Sequence, residues 1–287
     1  MFSQSREFSV SLPVTITQRN GSCVASISAD DLSFVDNGNA LPIMRLTSAK
    51  QAPVRYVVLI DTSGSMRLNE KMLSSTLAMI ADFIVSDLRP DKDQAAVITF
   101  GEDPALLQPF TSDPTLLRKA LTSVHTFRGG TALYETVVNA ARYAAGENKR
   151  GDPFRLIEIL ISDGSDNASR YSRDVGTAMA AWHGATVYGI RLSTSEPGYK
   201  EARTMGEIAE ATGGEFFRIA SGKDLARALD TIRQARDCSF LVEYSPPKLE
   251  AAKTYKVRIE ASAHPEWKIV APREYLVPKI ERFKQKK

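Results

Sequence analysis

The sequence is poor in the residues that most often bind transition metals or act as catalytic bases. Its 287 residues include two cysteines, Cys23 and Cys238, and three histidines, His125, His183 and His264. Structural zinc usually takes four nitrogen or sulfur ligands at close spacing, and these five residues are scattered. The sequence therefore excludes a thiolate metal cluster and shows no histidine pattern typical of a metal site.

Long apolar runs and a dominant charge are also missing. A membrane-spanning helix needs about 18 or more apolar residues in a row, and no segment reaches that length. The opening residues, MFSQSREFSV, have no apolar core of a secretory signal. The net charge is +3, from 37 basic and 34 acidic residues, and the basic ERFKQKK end is typical of a solvated tail. We therefore predict no membrane span, no signal peptide within this chain and no nucleic-acid partner.

What the sequence does contain, between residues 53 and 236, is an alternation of two patterns. Short runs rich in Val and Ile are apolar at both odd and even positions, as in strands covered on both faces of a parallel sheet. Between them lie segments with an apolar stripe at helical spacing. This alternation predicts a doubly wound α/β domain with a mostly parallel sheet. The predicted strands are 56–60, 95–100, 156–161 and 185–192, and the predicted helices are 68–88, 133–145, 174–182, 201–211 and 224–236.

The two ends of the chain have a different pattern. FSVSLPVTITQ alternates apolar and polar residues before an RNG turn, and CSFLVEYSPP, TYKVRIEAS and EYLVP are strand-like near the other end. We predict an N-terminal β flank at 1–52, the α/β domain at 53–236 and a C-terminal β flank at 237–287, with the flanks paired in one small antiparallel β domain. Cys23 and Cys238 fall in opposite flanks, so a disulfide and two free thiols are both compatible with the sequence.

Oxygen-bearing side chains follow two of the predicted core strands. VVLI leads into DTSGS at Asp61, and ILIS leads into DGSDN at Asp163, while RGGT stands between them in the chain. Ligands of open parallel sheets bind beyond the carboxyl ends of the strands, and Mg²⁺ prefers hard oxygen ligands. The sequence therefore predicts a magnesium site. Its candidate residues are Asp61, Ser63, Ser65, Thr131 and Asp163.

Ordinary local structure explains each of these residues as well. Ser63 or Ser65 could cap a helix that starts near Met66, Thr131 could be an N-cap, and Asp163 could close an Asx-turn. Each explanation is the better one for its residue taken alone. The metal hypothesis gains because three such features would have to coincide at the ends of one sheet.

The same three motifs carry a resemblance. DTSGS, GGT and SDG, in this order, resemble the D-x-S-x-S motif and the two further loops of the metal-ion-dependent adhesion site of von Willebrand factor type A (vWA) domains, over roughly residues 53–236. By that resemblance, Ser63 and Ser65 would bind the metal directly and Thr131 directly or through water. Asp61 and Asp163 would act largely through water or by orienting the other ligands. The ion would be Mg²⁺, with Mn²⁺ or Ca²⁺ as alternatives.

The resemblance implies a binding module in which the metal bridges to an acidic residue of a partner protein. Arg128 and Glu102 are candidates for the rim that contacts this partner. The flanking pieces VTITQRNG, ADDLSFVDNG, FLVEYSPP and REYLVP resemble a bacterial vWA-related family of largely exported proteins, which implies an extracytoplasmic location.

Two other functions compete with adhesion or assembly. A magnesium-dependent hydrolase or phosphoryl-transfer enzyme could use the same loops, but the chain has no G-x-x-x-x-G-K-[ST] loop and no G-x-S-x-G elbow. Ser63 replaces the second acid of a D-x-D motif. A domain with a vestigial, non-binding site is the other alternative, and the intact set of oxygen donors argues against it. We therefore predict a binding protein rather than an enzyme.

Overall fold

The computed structural model describes residues 9–125, 127–148, 152–192 and 199–279. In chain order, the strands are β1 (Val10–Gln18), β2 (Ser33–Asp36), β3 (Asn39–Ala40), β4 (Arg45–Ser48), β5 (Val54–Asp61), β6 (Gln94–Phe100), β7 (Pro104–Thr111), β8 (Arg155–Ser162), β9 (Ala185–Leu192), β10 (Phe216–Ile219), β11 (Ser239–Tyr244), β12 (Thr254–Glu260), β13 (Trp267–Val270) and β14 (Glu274–Leu276). The helices are α1 (Glu70–Asp87), α2 (Pro114–Thr122), α3 (Leu133–Gly146), α4 (Arg173–Trp182), α5 (Tyr199–Ala211) and α6 (Gly222–Asp237). Short 3₁₀ helices cover Ala29–Asp31 and Gly64–Asn69.

A six-stranded sheet forms the centre of the α/β part, in the order β10-β9-β8-β5-β6-β7. Its first five strands are parallel, and only β7 at the edge runs antiparallel. Apolar residues of α1, α2 and α6 pack on one face of this sheet, and apolar residues of α3, α4 and α5 pack on the other. Because both faces are covered, the central strands are apolar at both odd and even positions, as the sequence predicts.

The two flanks of the chain pair with each other in antiparallel sheets. One has the order β13-β1-β11-β4, so that β1 from the N-terminal flank lies between two strands of the C-terminal flank. In the other, β12 pairs with β2. The disulfide between Cys23 and Cys238 links the flanks covalently. The predicted fold class is confirmed; the domain limits at 52/53 and 236/237 stay predictions.

Several local features differ from the sequence prediction. The edge strand β7 was not predicted; it contains Pro104 and Pro109, which an edge tolerates because one side of the strand needs no ladder hydrogen bonds. The helix α2 was also missed, although Asp113 caps it by accepting from the amides of Thr115 and Leu116. Leu68 was placed on the apolar stripe of the first helix and is 94% exposed, because the chain there is still in the 3₁₀ turn that precedes α1.

Within the described residues, no helix combines the length and the apolar character needed to cross a bilayer.

Candidate metal centre

Three loops meet at the carboxyl edge of the parallel sheet. They follow β5, precede α3 and follow β8, and β5 lies between β6 and β8 in the sheet. From β5 the chain passes first to β6 on one side and later to β8 on the other, so the carboxyl end of β5 is a topological switch point. Crevices of this kind are the usual ligand sites of open α/β sheets.

The carboxylate of Asp61 is held rigidly at the end of β5. It is fully buried; its Oδ1 accepts from the amide of Ser63 at 2.8 Å, and its Oδ2 accepts from the hydroxyl of Ser162 at 2.6 Å. Ser162 is the last residue of β8, so these bonds tie the first loop to the third.

Ionisation of Asp61 is unfavourable in its buried position. Burial raises the pKa of Asp61 to about 6, the bonds from Ser162 and Ser63 oppose this, and the negative charge of Asp163 adds to the rise. A cation bound near both carboxylates would offset burial and repulsion together and favour the ionised form.

The two serines of the first loop are not used as helix caps. Ser63 is at the N-cap position of the 3₁₀ helix, but its side chain makes no capping hydrogen bond. Instead, its Oγ lies 3.1 Å from Oγ of Ser65. Ser63 is buried and Ser65 is exposed, so the pair leads from the interior of the site to solvent. Two hydroxyls at this separation suit adjacent positions around one ion.

Thr131 is not a helix cap either, because the N-cap of α3 is Ala132. The backbone of Thr131 is held by the third loop: its amide donates to Oδ1 of Asn167 at 2.8 Å, and its carbonyl accepts from the amides of Asn167 and Ala168, both at 3.0 Å. The Thr131 side chain is buried, and its hydroxyl has no hydrogen bond to any residue that the structure describes. It therefore stays available to a ligand.

Asp163 does form the predicted Asx-type bond, with Oδ1 accepting from the amide of Ser165 at 3.1 Å. Only one of its two oxygens is used in this way, and the side chain is half-buried. Local structure therefore explains part of what Asp163 does and leaves its second oxygen for a cation or a water molecule.

Backbone hydrogen bonds connect the first and second loops. The amide of Gly64 donates to the carbonyl of Gly129 at 3.2 Å, and the amide of Arg128 donates to the carbonyl of Thr62 at 3.0 Å. Gly129 has φ +75°, in the left-handed region, and a Cβ on Gly130 would lie 2.6 Å from Oδ1 of Asn167. Gly130 thus allows a close approach of the second and third loops, and Gly129 adopts the left-handed backbone of the second loop without strain.

The structure also shows supporting residues that were not among the predicted site residues. Asn167 and Ser162 hold Thr131 and Asp61, and Oε1 of the buried Glu135 accepts from the amide of Arg170 at 2.7 Å. A sequence signal existed for Ser162, which is a polar residue at the end of an apolar run directly before Asp163. Glu135 gave none, because an acid in the first turn of a helix is common.

The two predicted rim residues lie beside the second loop. Oε1 of Glu102 accepts from the amide of Gly130 at 3.3 Å, while the Arg128 side chain is exposed. Both line a cleft of about 550 Å³ that also touches Thr62 and Gly129 of the loops.

The donor set fits a hard cation better than a soft one. No group of three or more His, Cys, Asp or Glu residues is placed to hold a metal in the described part of the chain. The five predicted residues instead bring two carboxylates and three neutral hydroxyls to one edge of the sheet. Few carboxylates and room for water are typical of Mg²⁺ sites.

Comparison with known proteins agrees with this fold. Residues 56–165 match the family model described as the von Willebrand factor type A domain, a range that includes all five predicted site residues. This match supports a vWA domain in that part of the chain.

Solved structures share the architecture at low sequence identity. A von Willebrand factor type A protein from Catenulispora acidiphila is 14% identical, with a TM-score of 0.52, over 98% of this chain and 76% of that one. Proximal thread matrix protein 1 from the mussel byssus is 17% identical, with a TM-score of 0.52, over 74% of this chain and 51% of that one. The same mussel protein, solved with a zinc-occupied MIDAS motif, is 18% identical, with a TM-score of 0.50, over 69% and 48%. This chain thus spans about half of the mussel protein, and the likeness shows a common fold.

Proposed function

We propose that this protein is a metal-dependent protein-binding module for adhesion or assembly. A divalent cation, Mg²⁺ first and Mn²⁺ or Ca²⁺ as alternatives, would bridge the chain to an acidic residue on a partner protein. One observation carries this proposal: two carboxylates and three hydroxyls, none of the hydroxyls used as a helix cap, lie on three loops that meet at the switch point of the sheet. The proposed ligands are Asp61, Ser63, Ser65, Thr131 and Asp163.

The contacts favour different roles within this set. Both oxygens of Asp61 already accept hydrogen bonds, which suits a carboxylate that holds metal-bound water rather than the metal itself. The hydroxyls of Ser63, Ser65 and Thr131 suit direct coordination, although Thr131 could also act through water. Neutral hydroxyl ligands do not cancel the charge of the cation, so it would still attract an external carboxylate.

A structural relative supports the metal, and the disulfide supports the location. The mussel protein with this fold has been solved with zinc in its MIDAS motif, so the architecture can hold a divalent ion at that motif. The disulfide between Cys23 and Cys238 is typical of an oxidising environment, and we therefore propose an extracytoplasmic location.

We propose binding rather than magnesium-dependent hydrolysis or phosphoryl transfer. Such reactions use a base within hydrogen-bond reach of the attacking group. Segments 61–65, 128–132 and 163–172 contain no histidine, and the pKa of Asp61 reflects burial next to its serine partners. We therefore propose that a bound cation would attract an acidic group of a partner rather than serve catalysis.

Metal-dependent thermal stability tests the proposal. In millimolar Mg²⁺ or Mn²⁺ the melting temperature should rise relative to chelator, because an ion that binds only the folded state stabilises it by about 2.7 kcal/mol at a hundredfold excess over Kd. Ser63→Ala and Thr131→Val remove only the proposed ligand oxygens, and each should abolish or strongly reduce the rise.

A matched control separates loss of a ligand from loss of a buried threonine. Thr136 is also buried, and its hydroxyl donates to the carbonyl of Ala132, the N-cap of α3. Thr136→Val should keep the full response to the metal even if it lowers the starting melting temperature. If the wild type responds to none of Mg²⁺, Mn²⁺ and Ca²⁺, the proposed function is wrong.

A further inference from the structure

The cleft beside the candidate metal centre is lined by charged side chains of both signs. Its walls carry Glu102 and Asp103 from the β6–β7 turn, and His125 and Arg128 from the segment between α2 and α3. The cleft begins at Thr62 and Gly129, next to the proposed metal ligands in the first and second loops. A partner segment bound to the metal could therefore continue directly into this cleft.

The charged groups of the cleft are not neutralised by one another. Glu102, Asp103 and Arg128 form no ion pair with any described residue, although all three are exposed. Two carboxylates against one guanidinium leave the cleft net negative when His125 is neutral. An entirely acidic partner would be attracted by the metal and repelled here.

We propose that this cleft receives a lysine or arginine of the partner, a few residues away from the acidic residue that binds the metal. The inference rests on the proposed function, and it adds the chemical class of the partner: a segment with neighbouring acidic and basic residues.

The cleft suits a long basic side chain in two respects. Leu107, which is 41% exposed, contributes an apolar surface to its lining, and the methylene stem of Lys or Arg packs well on such a surface while its charge stays in water. The carboxylate of Asp103 makes no hydrogen bond to a described residue, so it is available to the incoming cation. Arg128, beside Gly129 on the metal side, favours the acidic residue of the same segment.

Peptide selection tests this inference directly. A displayed library of random linear peptides with one fixed aspartate would be selected on the wild-type protein in Mg²⁺ and, in parallel, in chelator. We expect magnesium-dependent enrichment of Lys or Arg within a few positions of the aspartate. Selected peptides should bind Asp103→Lys about fivefold more weakly or worse, as expected for loss and reversal of one partly exposed charge pair.

Asp30→Lys is the matched control, because Asp30 is an exposed acid in the N-terminal flank and does not line this cleft. It should bind the selected peptides like the wild type. Asp103 is the better test position than Glu102, whose carboxylate also holds the amide of Gly130. Equal melting temperatures of the two variants would exclude a folding effect.

The outcomes distinguish this inference from the proposed function. Magnesium-dependent enrichment of peptides with no Lys or Arg preference near the aspartate would overturn the cleft proposal alone. Equal weakening of the selected peptides by Asp30→Lys would also overturn it. Enrichment that does not depend on magnesium would overturn the proposed function, and this inference with it.

Discussion

The backbone amide of Thr131 donates a hydrogen bond of 2.8 Å to Oδ1 of Asn167. This bond joins the loop before α3 to the loop after β8, and the amide of Asn167 returns a bond to the carbonyl of Thr131. A buried threonine, whose hydroxyl is a proposed metal ligand, is thereby fixed by an asparagine that follows a different strand. The position of the hydroxyl depends on how closely the two loops approach.

Gly130→Ala should disturb that approach. The new Cβ would lie 2.6 Å from Oδ1 of Asn167, so Asn167 must move and the Thr131 amide loses its acceptor. We expect a weaker stabilisation by Mg²⁺, measured as the difference in melting temperature between metal and chelator, and a loss of about 1–3 kcal/mol in the free energy of unfolding.

Gly146→Ala provides the comparison. A Cβ at this position, in the last turn of α3, would meet no atom within 4 Å. Alanine is favoured over glycine in helices by roughly 0.5–1 kcal/mol, so this variant should be as stable as the wild type or more so, with an unchanged response to metal. A full metal response in Gly130→Ala would show that the contact with Asn167 does not set the geometry of the site.

His183 should make the protein sensitive to acid. Burial, and then the positive charge of Arg142, lower the pKa of His183 to about 4 from its usual 6.5. Between these two pH values the unfolded chain binds more protons than the folded one, so stability falls as the pH drops through this window. The loss attributable to His183 should reach about 3 kcal/mol at pH 4.

Urea unfolding of wild type and His183→Gln across this pH range measures the effect. Protonation of carboxylates adds its own pH dependence to both proteins, so the informative quantity is the difference between their curves. We expect the variant to lose less stability than the wild type between pH 6.5 and pH 4. Parallel curves would contradict the prediction.

Glu158 should act in the opposite direction. It is fully buried in β8, both of its carboxyl oxygens lack a hydrogen-bond partner in the described part of the chain, and burial raises its pKa well above the usual value. Above the ordinary glutamate pKa the unfolded chain ionises this group while the folded protein keeps it protonated, so stability falls as the pH rises.

Glu158→Met should therefore raise the melting temperature, because an apolar side chain of similar length needs no proton and no partner. The gain should be larger at pH 8 than at pH 5, and calorimetry at both values measures it. An equal or smaller gain at pH 8 would contradict the prediction that burial keeps Glu158 protonated in the folded protein.

The disulfide should contribute to stability without serving the metal centre. It joins Cys23 to Cys238 across a sequence separation of 215 residues, and removal of such a cross-link typically costs about 2–4 kcal/mol. The double variant Cys23→Ser/Cys238→Ser should unfold at lower urea concentration than the wild type. Because both residues lie outside the three loops, the response of the folded variant to Mg²⁺ should persist.

Reduced wild-type protein is the internal control for this variant. Reduction should lower the unfolding midpoint of the wild type to that of the double variant and leave the variant itself unchanged. A variant as stable as the oxidised wild type would show that the strand pairing of the flanks already supplies the constraint.

The sequence by itself determined the α/β class and four of the core strands, β5, β6, β8 and β9. Apolar runs that alternate with helical stripes leave few arrangements, because both faces of each central strand must be covered. It also pointed to Asp61 and Asp163, since polar residues directly after buried strands fall at one edge of a parallel sheet. Local signals failed at β7, where prolines are allowed by an edge position that the sequence does not reveal.

Only the tertiary structure decided what the polar residues of the loops do. Whether Ser63 and Thr131 cap helices depends on where the neighbouring helices begin. Ser63 precedes a 3₁₀ helix without making a capping bond, and α3 has Ala132 rather than Thr131 as its N-cap, so neither hydroxyl is used for capping. The contact of Gly130 with Asn167 and the bond from Ser162 to Asp61 join segments far apart in the chain. The disulfide between Cys23 and Cys238 likewise joins residues far apart in the chain. Such contacts arise from the packing of distant strands, whereas sequence patterns report mainly on neighbours along the chain.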